Sequence, residues 1–273
     1  MPRRGGSHAR SASVRRLNNA FTPSHRGGSG PPLVCLHGFM ESWRSWELVL
    51  PALERRHDVL ALTLAGHAGG LPLSGAPSVD LADAVERAMD DAGMPTAHLV
   101  GNSLGGYLAL RLAERARTIV ALAPAGGWGD DSWRDVLAFQ AELHAAAAAA
   151  APHAIATTPA GRRQATRAVV SNFEHIPADL VAHIIRALAA CDARPLLENA
   201  HREGWPLEAE RIECPVRIVW GTEDRLLPWP SAASRYRAQL PHADWVVLDG
   251  AGHAPQLDVP LEAAQLILGF TNP

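Results

Sequence analysis

The chain contains no lysine: all 25 of its basic residues are arginine. Lysine Schiff-base chemistry and a catalytic lysine are thereby excluded. Cysteine is scarce. Cys35, Cys191 and Cys214 lie far apart and form no C-x-x-C, so neither a thiol metal site nor a disulfide framework is indicated. Cys35 and Cys214 sit in or beside apolar runs and read as buried free thiols, which fits a reducing, cytoplasmic setting. No apolar run reaches the ~18–20 residues that span a bilayer. The first 40 residues carry arginines but no Asp or Glu. No apolar stretch of ~7–15 residues follows Arg3-Arg4 or Arg15-Arg16, so no export signal is read there. An excess of one charge is also missing. A net charge of -3 gives neither a nucleic-acid nor a membrane signature.

What is present is length and apolar content. With 273 residues and 47% hydrophobic residues the chain can bury a full core, as one domain or one domain with an insertion. Residues 1–16 read as a disordered basic tail and 23–32, rich in Gly and Pro, as a loop, so 1–30 lies outside the expected core. From residue 33 strand-like and helix-like runs alternate. Leu33–Leu36, Val59–Leu62, His98–Val100, Ile119–Leu122, Val216–Trp220 and Trp245–Leu248 read as strands. Residues 45–56, 80–91, 107–113, and segments near 230–240 and 260–270 read as helices. Such alternation predicts an α/β fold with a mostly parallel sheet and helices on both faces.

The alternation fails between about 125 and 207. That stretch shows no convincing strand, a seven-alanine run at 145–151 and a strongly amphipathic helix at 178–190. It is read as a helical cap that leaves the sheet at the carboxyl end of a strand, where ligands bind in open α/β sheets. The core is then 31–124 with 208–273. A helix of small residues with one apolar stripe is expected to be mobile and to select substrates.

The chemistry centres on Gly101-Asn102-Ser103-Leu104-Gly105-Gly106. A G-x-S-x-G between a strand and a helix is a nucleophile elbow, a turn so sharp that its serine is strained and projects its hydroxyl. Serine is a poor nucleophile alone and needs a base, which in turn needs an orienting acid. His253 in Gly252-His253-Ala254-Pro255 follows the last strand and is the best base. Asp224 in Gly221-Thr222-Glu223-Asp224 lies just past the Val216–Trp220 strand and is the best acid, with Glu223 as near rival. His37-Gly38-Phe39 directly follows the Leu33–Leu36 strand. The backbone N–H groups of Phe39 and Leu104 are placed to form an oxyanion hole, and His37 to brace that loop. A neutral imidazole is required of the base, so activity should rise with pH near about 6.5.

These motifs, in the order Ser103, Asp224, His253, resemble the α/β-hydrolase fold superfamily, including small serine esterases, cofactor-free haloperoxidase-like enzymes and carbon–carbon bond hydrolases. The resemblance runs from about 31 to 270. It implies that Ser103 is the nucleophile, His253 the base and then acid, and Asp224 its orienter, with Phe39 and Leu104 at the oxyanion hole. Relatives commonly carry Asp-x-Pro-Gly-His-Gly where this chain has Thr63-Leu64-Ala65-Gly66-His67-Ala68, which puts the geometry of that loop in question. The two amino-terminal strands usual in the family are not evident before residue 31, beyond a short remnant within 18–24.

A serine at position 103 argues against haloalkane dehalogenase and epoxide hydrolase chemistry, which need a carboxylate there. Carboxylesterase-like hydrolysis (EC 3.1.1) of a small apolar or aromatic ester through an acyl-serine is the favoured reading. Asn102 before the serine resembles carbon–carbon hydrolases of ring-cleavage diketones, but the Gly-Pro-Gly-Ala that those enzymes carry after His-Gly is absent. Non-hydrolytic receptors or cyclases on this fold are a second alternative. Trp128 and Asn102 are the expected pocket residues, with Trp43, Trp46, Trp133 and Trp205 nearby in sequence to the oxyanion loop and cap. The expected partner is a small-molecule substrate. No cofactor, metal, nucleic-acid or membrane partner is called for, and the oligomeric state is unassigned.

Overall fold

Seven strands build one sheet: β1 (Ser24–Gly28), β2 (Pro32–Leu36), β3 (Asp58–Leu62), β4 (Ala97–Asn102), β5 (Ala116–Leu122), β6 (Val216–Gly221) and β7 (Asp244–Leu248). Their order is β1-β3-β2-β4-β5-β6-β7, with β1 antiparallel and the rest parallel. The computed structural model describes residues 21–73, 77–127, 151–191 and 194–271, with isolated positions between 138 and 149. The parallel strands are continuous apolar runs because both faces are covered. Within β2, Leu33 and Cys35 enter one core and Val34 and Leu36 the other, following the two-residue period of a strand.

One face is covered by α1 (Leu50–Leu53) and the carboxyl-terminal helix α9 (Pro260–Thr271). The other carries α2 (Pro77–Asp91), α3 (Leu104–Arg111) and α8 (Ser234–Gln239). The helix expected over 45–56 is divided into a 3-10 turn, Trp43–Trp46, and the short α1, which has Pro51 in its first turn. Its apolar positions nevertheless bury as the periodicity requires, including Trp46, Val49 and Leu53.

The loop expected over 23–32 contains strand β1 instead. Its residues, Ser-His-Arg-Gly-Gly, have poor strand propensity. Tertiary contacts override it. Arg26 donates to both Asp58 oxygens at 3.0 and 2.7 Å, and His25 meets Glu54 at 2.5 Å. Gly28 has φ +81°, and a Cβ there would lie 2.2 Å from the His57 carbonyl oxygen, so only glycine fits that edge. Residues 1–20, including the expected basic tail, lie outside the described residues.

Between β5 and β6 the described residues form helices and no strand, among them α4 (Pro152–Ala156), α5 (Pro159–Thr166), α6 (Ala178–Ala190) and α7 (Arg194–Glu203). They enclose a third apolar cluster, including Val170, Phe173, Leu180 and Ile184, joined by Ala254 and Leu257. Helix α6 is buried more widely than a single stripe: seven of its 13 residues, including His183, are buried. Its neutral face packs into this third cluster, which explains why its small residues do not mark a solvated surface. Among the described residues no helix is long and apolar enough to cross a membrane.

Candidate active site

Strand β4 ends at Asn102 and α3 begins at Leu104, leaving Ser103 alone in the turn at φ 52°, ψ -114°. A non-glycine residue held there stores strain of order 1–3 kcal/mol. Three backbone bonds hold it. Ser103 N–H donates to Leu122 O at 2.9 Å, and Ser103 O accepts from Tyr107 at 3.0 Å and Ala125 at 2.9 Å. The flanking glycines are sterically required. A Cβ on Gly101 would lie 2.1 Å from Gly105 O, and one on Gly105 would lie 2.1 Å from Leu36 O.

The loop after β2 is tied to this elbow. Gly105 N–H donates to His37 O at 3.1 Å. His37 Nδ1 donates to Gly38 O at 2.6 Å, while its Nε2 accepts from Leu64 N–H at 2.9 Å. Both ring nitrogens are therefore assigned, and the imidazole is neutral. Burial, with His67 beside it, holds its pKa well below the ordinary value. This is the bracing geometry expected of His37. It also orders the Thr63–Gly70 loop that lacks the usual Asp and Pro, because Leu64 is its anchor. Gly38 lies against the elbow: a Cβ on it would be 3.5 Å from Ser103 Cβ. Among the described residues neither the Phe39 nor the Leu104 amide donates to a protein acceptor.

His253 lies in the loop after β7, and its Nδ1 is 2.8 Å from Asp224 Oδ2. Asp224 Oδ1 accepts from the N–H groups of Leu226 at 2.9 Å and Leu227 at 2.8 Å. The carboxylate is thus fixed on one side and faces the imidazole with the other. Glu223, the rival acid, is exposed. Burial alone would push the His253 pKa down. The Asp224 charge and hydrogen bond, with the Glu41 carboxylate behind them, reverse that and raise it. Ser103, Asp224 and His253 are all buried, at 8%, 4% and 4% exposure.

Asn102 and Trp128 were the expected pocket residues. The Asn102 amide is committed to protein partners: Nδ2 donates to His253 O at 2.9 Å and Leu122 O at 3.1 Å, and Oδ1 accepts from Gln256 at 3.1 Å. It bridges the elbow to the His253 loop. Trp128 and Trp133 lie outside the described residues. Trp46 is buried in the core, Trp43 donates to Thr22 and stacks on His25, and Trp205 meets Tyr107 edge-on.

Four residues near the site, Glu41, Asp258, Ser42 and His183, are not singled out by the sequence pattern. Glu41 accepts from Gly38 N–H at 3.1 Å, and burial raises its pKa. It is the first acidic residue of the chain and stands two positions after Phe39, a signal that was available. Asp258 is buried and accepts from Ser171 N–H at 3.1 Å, Asn172 N–H at 2.6 Å, Asn172 Nδ2 at 3.1 Å and Gly252 N–H. It clamps the helical segment to the residue before His253. A second clamp joins α6 to the loop after β2: Ser42 Oγ accepts from Arg44 N–H and donates to His183 Nε2 at 2.7 Å. Burial lowers the His183 pKa to about 4, so that ring is neutral. Neither clamp follows from local pattern. Among the described residues no three His, Cys, Asp or Glu side chains converge to hold a metal ion.

The family model described as "Alpha/beta hydrolase family" matches residues 33–266. The chain is 35% identical over 207 residues to "Epoxide hydrolase EphH" of Mycobacterium tuberculosis, covering 71% of this chain and 94% of that protein. It is 29% identical over 261 residues to the pimeloyl-[acyl-carrier protein] methyl ester esterase of Aeromonas hydrophila, covering 90% and 98%. Carboxylesterase CesB of Bacillus subtilis superposes with a TM-score of 0.71 at 22% identity, covering 90% of this chain and 86% of that one, and shares the fold. Matched along most of its length in sequence and in sheet architecture, the chain belongs to the α/β hydrolase family.

Proposed function

We propose that the protein is a serine hydrolase that cleaves carboxylic esters of small apolar or aromatic substrates through an acyl-serine. The observation that carries this reading is the buried His253–Asp224 contact of 2.8 Å on a loop bonded through Asn102 to the strained Ser103 turn. Asp224 accepts a hydrogen bond from Nδ1–H, which leaves His253 Nε2 as the lone-pair nitrogen. Nε2 takes the Ser103 hydroxyl proton as Oγ attacks the ester carbonyl. The developing oxyanion is met by the free N–H groups of Phe39 and Leu104, each such donor being worth about 3–4 kcal/mol in the transition state. His253 returns the proton to the leaving alcohol. Water then repeats the sequence on the acyl-serine and releases the acid.

An esterase and an epoxide hydrolase both stand among the relatives. Ser103 favours the ester reading, because opening an epoxide by the covalent route of this fold needs a carboxylate at that position. We further read 31–124 with 208–273 as the core and 125–207 as a cap, with 1–30 outside both. Support comes from the two clamps, Asp258 and Ser42–His183, which join 171–183 to the loops flanking the site. The low exposure of Ser103, 8%, is consistent with a covered site of this kind. Trp128 stays our choice for a wall of the acyl pocket.

The test is turnover of p-nitrophenyl acetate with Ser103→Ala as control. The expected loss in kcat is at least ~10³-fold with an unchanged circular dichroism spectrum. A variant that keeps most of the wild-type turnover overturns the serine assignment.

A further inference from the structure

A surface cleft of about 490 Å³, not lined by Ser103, opens at the seam between the helical segment and the core. Three arginines line it, Arg163, Arg167 and Arg225. Among the described residues none of them is ion-paired. Arg163 lies over the Phe173 ring, 5.0 Å from its centroid. Arg225 donates to the Arg167 carbonyl at 2.7 Å, which draws the core loop and the helical segment together around the cleft. The one acid in the wall, Glu174, accepts from Phe173 N–H at 3.1 Å. The Ser171 hydroxyl, also in the wall, is buried and lacks a hydrogen-bond partner.

We propose that this cleft binds the phosphate group of a small organic phosphate monoester. Three arginines against one glutamate leave a surplus of two positive charges, the complement of a phosphate dianion. Guanidinium forks donate paired N–H groups in the geometry that phosphate oxygens accept. The volume exceeds that of one phosphate and lies in the range of small-molecule sites. The aromatic wall of Phe173, already capped by Arg163, offers an apolar surface to the organic part. None of Ser103, Asp224 or His253 lines this cleft, although Arg225 adjoins Asp224 in the chain, and the proposal does not rest on the ester chemistry.

Calorimetric titration of the full chain with phenyl phosphate tests the proposal. Saturable binding with a Kd below about 1 mM is expected. Arg163→Gln/Arg167→Gln should weaken it at least tenfold, and so should Arg167→Gln alone to a smaller degree, with melting temperatures unchanged because both side chains are exposed. Ser103→Ala should bind as the wild type does. Inorganic phosphate matching phenyl phosphate identifies a free anion as the occupant. Capture on phosphatidylcholine vesicles containing phosphatidic acid, reversed by phenyl phosphate, identifies a lipid headgroup with the same chemistry. Absence of saturable heat, or binding equal in wild type and double variant, overturns the proposal whatever the outcome of the ester assay.

Discussion

Replacing Asp224 with Asn separates orientation from packing at the proposed catalytic acid. The two Asp224 oxygens have different duties: Oδ1 accepts two backbone N–H groups at 2.8–2.9 Å, and Oδ2 faces His253 Nδ1 at 2.8 Å. An Asn amide must keep its oxygen toward Leu226 and Leu227, since an NH₂ there would meet two donors. Its NH₂ group then faces His253 Nδ1 and donates to it. The ring proton moves to Nε2, the atom that must accept the serine proton. The expected loss in kcat is on the order of 10⁴, or about 5 kcal/mol of barrier, at nearly constant KM. Neutralising the carboxylate also removes the main force raising the His253 pKa, so burial prevails and the residual activity should persist to lower pH. Asp224→Ala gives the contrast. It leaves the Leu226 and Leu227 amides without their acceptor, at roughly 1–3 kcal/mol each, so it should lose stability as well as rate. The assay is p-nitrophenyl acetate hydrolysis by both variants alongside their urea midpoints. An Asn variant within tenfold of wild type, with wild-type stability, would refute the tautomer argument and Asp224's role with it.

Two further outcomes concern pH. The wild-type kcat/KM should rise with pH through an inflection above the ordinary imidazole value of about 6.5, because His253 is raised and is inactive while protonated; an inflection at or below that value speaks against the Asp224 coupling. Stability should move mainly through the other buried histidines: His67, His98 and His183 are lowered to about 4 and His37 and His57 are lowered too. The unfolded chain binds their protons more readily, so melting temperature should fall progressively between about pH 6.5 and pH 4, while the opposing His253 contribution is present in full below about 6.5 and is lost as pH rises through its raised value. A melting temperature constant over that acid range, by scanning calorimetry, contradicts the burial seen for these rings.

The elements legible in the amino-acid order are those written by local pattern. Continuous apolar runs are confined to strands covered on both faces, so β2 to β7 emerge within a few residues of their observed bounds. The elbow is legible because Gly101 and Gly105 are demanded by backbone contacts under 3 Å, which no other residue meets. Helix α6 was predicted at its observed limits, since thirteen residues carry enough helical period to be distinctive. Tertiary structure alone decided the rest. Strand β1 forms against its own propensity because Arg26, His25 and two glycines fit an edge made by residues about 30 positions away. Asp224 rather than Glu223 faces His253 because the turn after β6 buries one and exposes the other. Asn102 forms a bridge spanning 151 residues, and the Asp258 and Ser42–His183 clamps and the arginine cleft are likewise built from distant segments. Hydrogen bonds and charges between such segments leave no periodic trace in the chain, because their partners are chosen only once the sheet has brought its loops together.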